Sequence, residues 1–168
     1  MTQNENVNIL KGKDNEEILF KLQGLSEKQI DHMMIMAASN GLTTTIKLLF
    51  DKINIRINCR DRGRYSPLML ACLRGNYEMA EFLINKGAKI DLKNYFGTTA
   101  LMMSSFYGSI EIVKLLLKYG AKKDIMDNRQ ETALEYCNRG YDHDYFRGRN
   151  QPIEIRREIY QELLILLS

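Results

Sequence analysis

Asn94-Tyr95-Phe96-Gly97-Thr98-Thr99-Ala100-Leu101 opens the stretch whose reading decides the fold. Ser104-Ser105-Phe106-Tyr107-Gly108, then Ile110-Glu111-Ile112-Val113-Lys114-Leu115-Leu116-Leu117, then Gly120-Ala121 complete it. Its landmarks return along the chain. Thr99-Ala100-Leu101 is preceded by Ser66-Pro67-Leu68 and followed by Thr132-Ala133-Leu134, at steps of 99 − 66 = 33 and 132 − 99 = 33 residues. Gly75 and Gly108, Gly87-Ala88 and Gly120-Ala121, and Asp91 and Asp124 keep the same interval. A period of this length marks stacked repeats, in which each unit buries its apolar face only against its neighbours. Such a solenoid is expected to present a binding surface.

Each landmark has a physical role. Ser66 and Thr99 stand where a hydroxyl can accept from the first unsatisfied amides of a helix. Pro67 follows at the first helical position, where a missing N–H costs nothing. Thr132 and Glu135 have capping-box spacing. Gly87 and Gly120 follow leucine-rich helices, where a left-handed terminator is wanted. Ala71, Cys72, Ser104 and Ser105 are small enough to let neighbouring helices approach closely.

This pattern resembles an ankyrin repeat at nearly every marked position of 94–121. Asp61 to Ile90 matches as well, except in its turn, where Gly63 falls one place early and Arg64 stands where Gly is usual. The resemblance implies an all-α ankyrin-repeat solenoid of helix–turn–helix units, with short β-turn fingers and helical caps at both ends. Met69 and Met102 occupy the place where the family often has a His that bonds back to the turn, which implies somewhat less rigid turns.

Both ends are looser. Residues 1–12 are expected to be a mobile N-terminal segment, followed by a single ankyrin-repeat domain over 13–168. Its cap is expected at 13–25, with Ile18, Leu19 and Leu22 on one face. The repeats fall at about 26–57, 58–90, 91–123 and 124–168. In the first, Ser26 and Gln29 can cap a helix through Ile30, Met33, Met34 and Ala37. Gly41 to Gly75 is 34 residues, so one residue is added, with Ile53–Ile57 its expected place. In the last, an inner helix over Thr132–Asn138 gives way to an insert at 140–150. A final helix from about Pro152 then puts Ile155, Ile159, Leu163 and Leu166-Leu167 on one stripe to seal the core.

Bulk properties remove several function classes. The 168 residues are 45% apolar and 27% charged, as in a folded soluble domain. A net charge of +3 with dispersed Lys and Arg argues against nucleic acid. The longest apolar run, Leu163–Leu167, is too short to span a bilayer, and the polar start Met1–Asn6 does not read as a signal peptide. Three cysteines give no disulfide framework and fit reduced thiols in a cytoplasmic setting. Seven methionines, at 33, 34, 36, 69, 79, 102 and 103, read as helix-borne core fillers. No phosphate-binding Gly loop, nucleophile motif or paired-Cys metal motif is present, so no enzyme, cofactor or metal is expected. The rival is a metal-dependent or enzymatic insert using Asp142, His143 and Asp144. Adjacent loop side chains rarely converge on one ion.

The resemblance implies that fingertips and the exposed inner-helix face form one concave surface. Its candidate partner-binding residues are Arg62, Tyr65, Leu73, Arg74, Tyr95, Phe96, Phe106, Tyr107, Arg129 and Arg139. Aromatics flanked by arginines are the composition of a binding hot spot. For Phe106 an inward-packed core role stays open. The insert repeats the theme with Tyr141, Tyr145, Phe146 and Arg147, as a second binding site or as a shielding loop. The expected function is non-catalytic binding of another protein by a monomer, as an inhibitor or immunity-type protein. The alternative is a secreted microbial or viral effector mimicking a host ankyrin protein.

Overall fold

The computed structural model describes residues 24–50, 55–143 and 153–168. The expectations for a mobile 1–12 segment and for nearly all of the 13–25 cap lie outside these residues, as do the first two residues of Ile53–Ile57, the expected place of the added residue, and most of the insert. Eight helices and no strand stand among the described residues. They are α1 (Glu27–Asn40), α2 (Thr43–Phe50), α3 (Pro67–Arg74), α4 (Tyr77–Asn85), α5 (Ala100–Phe106), α6 (Ile110–Lys118), α7 (Ala133–Asp142) and α8 (Ile153–Leu167). Inner helices α1, α3, α5 and α7 pack in file, and outer helices α2, α4 and α6 form a second file behind them. This is the all-α solenoid of helix–turn–helix units that the resemblance implied.

The caps form as their residue types dictate. Ser66 Oγ accepts the Met69 N–H at 3.2 Å, and Thr99 Oγ1 accepts the Met102 N–H at 3.3 Å. Such caps contribute about 1 kcal/mol each. The Met69 and Met102 thioethers reach back to the Ser66 and Thr99 N–H groups, at 3.4 and 3.3 Å. Methionine thus fills the seat of the reciprocal capping partner while staying buried. Glu135 closes the Thr132 box by accepting its N–H at 2.8 Å, and Gln29 accepts the Ser26 N–H at 2.9 Å.

The inner file is close because its contact residues are small. Ala37, Ala71, Ser104 and Cys137 occupy equivalent turns and are fully buried. The Ser104 and Ser105 hydroxyls are satisfied within α5 by the Ala100 and Leu101 carbonyls, at 2.9 and 2.8 Å. Around this seam Leu68, Met69, Met79, Leu83, Leu101, Met102, Ile112 and Leu116 are buried almost completely. Met33, Met34 and Met103 join them, whereas Met36 is only half-buried. None of the three cysteines forms a disulfide, and burial pushes the Cys59 and Cys137 thiols up to about 12.

The fourth unit corrects two expectations. Its inner helix does not stop at Asn138. Helix α7 runs on to Asp142, so Gly140, Tyr141 and Asp142 are helical rather than part of a loop. The reason is tertiary. Gly140 is buried against the Phe106 carbonyl, and Tyr141 stacks on Tyr160 of α8 with ring centroids 4.3 Å apart. Helix α8 packs on α7 and α6, in the place of a fourth outer helix. Leu163 and Leu167 are buried and Ile159 and Leu166 half-buried, but Ile155 is 41% exposed and does not join the stripe. Polar bonds fix α8: Tyr160 to Asn138 Oδ1 at 3.0 Å, and Lys114 to Glu162 at 2.6 Å.

A Cβ added at Gly140 would lie 2.0 Å from the Phe106 carbonyl oxygen. Gly140→Ala therefore has to push α7 off α5. It is expected to cost about 1–3 kcal/mol, as overpacking does. At roughly 2–4 °C per kcal/mol for a chain of this size, thermal unfolding followed by circular dichroism reads it directly. An unchanged Tm would mean the two backbones are not held at this distance.

Candidate functional site

Three fingers project ahead of the inner helices, at Asp61–Tyr65, Asn94–Thr98 and Asp127–Glu131. Each is closed by a bond from its first N–H to its fifth carbonyl, at 3.1, 3.1 and 2.9 Å. The fourth residue of each is left-handed: Arg64 at φ 61°, Gly97 at φ 80° and Gln130 at φ 63°. Arg64 thus takes the conformation that glycine usually supplies, and Gly63 does not. At Gly97 a side chain is also excluded by space, since a Cβ would meet the Asn128 nitrogen at 2.8 Å.

The finger bases share a feature that the repeat phrase does not advertise. Asp61, Asn94 and Asp127 stand at the 33-residue step, and each turns its side-chain oxygen onto its own turn. Asp61 Oδ1 accepts the Tyr65 N–H at 2.7 Å. Asn94 Oδ1 accepts the Phe96 and Thr98 N–H groups, both at 2.9 Å. Asp127 Oδ1 accepts those of Arg129 and Glu131, at 2.8 and 2.9 Å. These bonds hold the turns where the family's His is missing. Neighbouring fingers are also joined, Tyr95 N–H to the Gly63 carbonyl at 3.1 Å and Asn128 N–H to the Phe96 carbonyl at 3.0 Å.

Between fingers and inner helices lies a groove of about 470 Å³. Of the residues singled out in the sequence, it brings together Tyr65, Leu73, Phe96, Phe106, Tyr107, Arg129, Arg139 and His143. Arg62 lines a separate hollow between the first two inner helices, while Tyr95 and Arg74 line neither. Exposure divides the set. Tyr95 and Phe96 are 62% and 63% exposed at the tip of the second finger, and Arg62, Arg74 and Arg129 are exposed. Tyr65 and Leu73 are half-buried and lean on the core. Phe106 and Tyr107 are half-buried as well, meeting edge to face at 5.1 Å. Phe106 is therefore groove wall, neither core nor fully open surface.

Arg139 is committed within the wall. Its guanidinium pairs with Glu131 at 2.8 Å and lies 4.4 Å over the Tyr136 ring, where cation and ring face attract. Tyr136 was not legible as a site residue. Its hydroxyl donates to Asp127 Oδ2 at 2.8 Å and lies 3.0 Å from Thr98 Oγ1, tying α7 to two fingers. Thr98 is buried in that tie. Burial pushes the Tyr136 phenol up, with the Asp127 carboxylate adding to it. Burial also pushes Asp127 up, but the Glu131 N–H, the Tyr136 hydroxyl, the Arg129 N–H and the Arg139 charge outweigh it. The net effect holds Asp127 below the ordinary carboxylate range.

Tyr141 faces Tyr160 rather than an insert surface. Tyr145, Phe146, Arg147 and Asp144 lie outside the described residues. Among the described residues no group of three His, Cys, Asp or Glu side chains is placed to hold a metal ion. Among them, too, no helix is long and apolar enough to cross a membrane.

The family model for ankyrin repeats, in its three-copy form, matches residues 4–94 and 88–145. A 46-residue stretch, 27% of the chain, is 41% identical to ankyrin repeat protein OPG189 of vaccinia virus, strain Copenhagen, and covers 8% of that protein. A 78-residue stretch, 46% of the chain, is 30% identical to human ankyrin repeat domain-containing protein 49 and covers 33% of it. The chain thus spans a third or less of the length of these relatives.

The depressed Asp127 carboxylate sets a pH dependence. Its contribution to stability is whole above the unfolded value of about 3.9. It is lost as pH falls through the lower folded value. Asp127→Asn keeps the oxygen that accepts both turn N–H groups, as Asn94 does, but removes the charge. Urea midpoints measured from pH 6 to pH 3 should fall less steeply for the variant than for the wild type. Parallel curves would show that Asp127 carries none of the acid sensitivity.

Proposed function

Because this chain belongs to the ankyrin-repeat family, whose repeats serve as protein–protein interaction modules and are generally non-catalytic, we propose that it binds a partner protein through the groove between its fingers and inner helices. One observation carries this reading: Tyr95 and Phe96 stand more than 60% exposed beside a groove walled by Phe106 and Tyr107. Large aromatics left in water on a rigid frame cost little further ordering entropy when a partner covers them. The frame is rigid for a stated reason, since every finger is bonded within itself and to its neighbour.

Arg129, on the groove, and Arg74 are both exposed and are assigned to steering and pairing acidic groups of the partner. Arg139 is assigned to holding the wall, because Glu131 and Tyr136 already occupy it. The finer role we propose is that of an inhibitor, a monomer that acts by occupying a partner's surface in the cytoplasm. The absence of any disulfide among its three cysteines supports a reducing compartment. An effector that mimics a host ankyrin protein would use the same surface.

Tyr95→Ala and Phe96→Ala remove tip aromatics that the fold does not bury. Each is expected to weaken partner binding roughly 30-fold, the equivalent of about 2 kcal/mol, while Tm stays within about 2 °C. Phe106→Ala should lower both affinity and Tm. Isothermal titration against the partner isolated by affinity capture, alongside thermal melts, checks all three. Unchanged affinity for both tip variants would sink the groove as the binding site, and unfolding of both would reassign the tips to the core.

A further inference from the structure

Asn94 sits in the groove with only 6% of its surface exposed. Two backbone N–H groups donate to its Oδ1, which fixes the other end of the amide as the donor. That donor, Nδ2, is buried and has no hydrogen-bond partner among the described residues. The next finger shows what such a seat normally finds. There Asp127 presents its second oxygen to the Tyr136 hydroxyl. One period before Tyr136 the chain has Met103, since 136 − 33 = 103, and a thioether is a weak acceptor. The third unit therefore carries an unmet donor where the fourth carries a met acceptor.

The charges around it point the same way. Asp127 is occupied by two N–H groups and the Tyr136 hydroxyl, and Glu131 by Arg139. The exposed charged residues on the three fingers, Arg62, Arg64 and Arg129, are all cations.

We propose that the groove takes an extended partner segment in which an Asp or Glu carboxylate neighbours a bulky apolar side chain. The carboxylate accepts from Asn94 Nδ2 and pairs with Arg129, and the apolar side chain lies against Phe106 and Leu73. This rests on the reading of the groove as the partner site and adds the chemistry that site selects.

A displayed library of random twelve-residue peptides, panned on the whole chain, tests it without knowledge of the partner. Enriched peptides should carry an acidic residue beside an apolar one. Changing that residue to its amide should weaken binding at least tenfold by fluorescence polarisation, and raising salt should weaken it further. Asn94→Asp keeps the turn acceptor that Asp61 and Asp127 use but replaces the donor, and should cost at least tenfold. Arg129→Glu, at an exposed site, should do the same with Tm unmoved, and should gain affinity for a peptide with Lys in place of the acid. Peptides that ignore the acid-to-amide change and both variants, yet lose binding on Phe96→Ala, would overturn the acidic specificity and leave the groove reading standing. No enrichment, indifference to Phe96→Ala as well, or a concentration-dependent dimer abolished by Phe96→Ala would overturn both.

Discussion

Everything in this molecule depends on how closely the inner helices can lie. Ala37, Ala71, Ser104 and Cys137 let backbone meet backbone, and at Gly140 even a methyl group is too much. Dispersion contacts accumulate only at such distances, and a repeat that cannot bury its apolar face alone relies on them. The approach also sets the spacing of the fingers, because each finger leads directly into an inner helix. When the helices stand close, the Tyr95 N–H reaches the Gly63 carbonyl and the Asn128 N–H reaches the Phe96 carbonyl. The groove inherits its width from a packing decision made well behind it.

This division of labour explains why the groove can be polar at its base without weakening the stack. The base of each finger spends its side-chain oxygen on its own turn, so the turn does not compete with the helix caps for partners. Tyr136 then couples the fourth inner helix to two fingers through one hydroxyl. Arg139 lies over the same ring and is held by Glu131. Charge, ring and turn form one connected network, in which each member fixes the orientation of the next.

Much of this was legible because it is local. Caps, terminators and small residues at a 33-residue step follow from propensity and spacing, and they formed where their residue types required. What was not legible depends on contacts across the chain. Gly140 reads as a helix end because glycine usually ends helices. Here it is kept inside α7 by the pressure of the Phe106 carbonyl, and the extra turn is supported by Tyr160 from a helix twenty residues on. Arg139 reads as an exposed cation until Glu131 and Tyr136 are seen around it. Tyr136 has no repeat signature at all, since Met103 stands one period earlier. Asp61, Asn94 and Asp127 do keep the period, at the foot of each of the three fingers, so that part of the site is written in the repeat itself.

That seat has a consequence for how such a surface can change. Asp and Asn have nearly the same shape, and in both the oxygen that closes the turn is kept. They differ in one terminal atom, an acceptor in one case and a donor in the other. The scaffold therefore offers a dial at the foot of each finger that reverses local polarity while the architecture stays as it is. A solenoid built this way could acquire a new ligand preference by exchanging a single heavy atom, with no negotiation among helices.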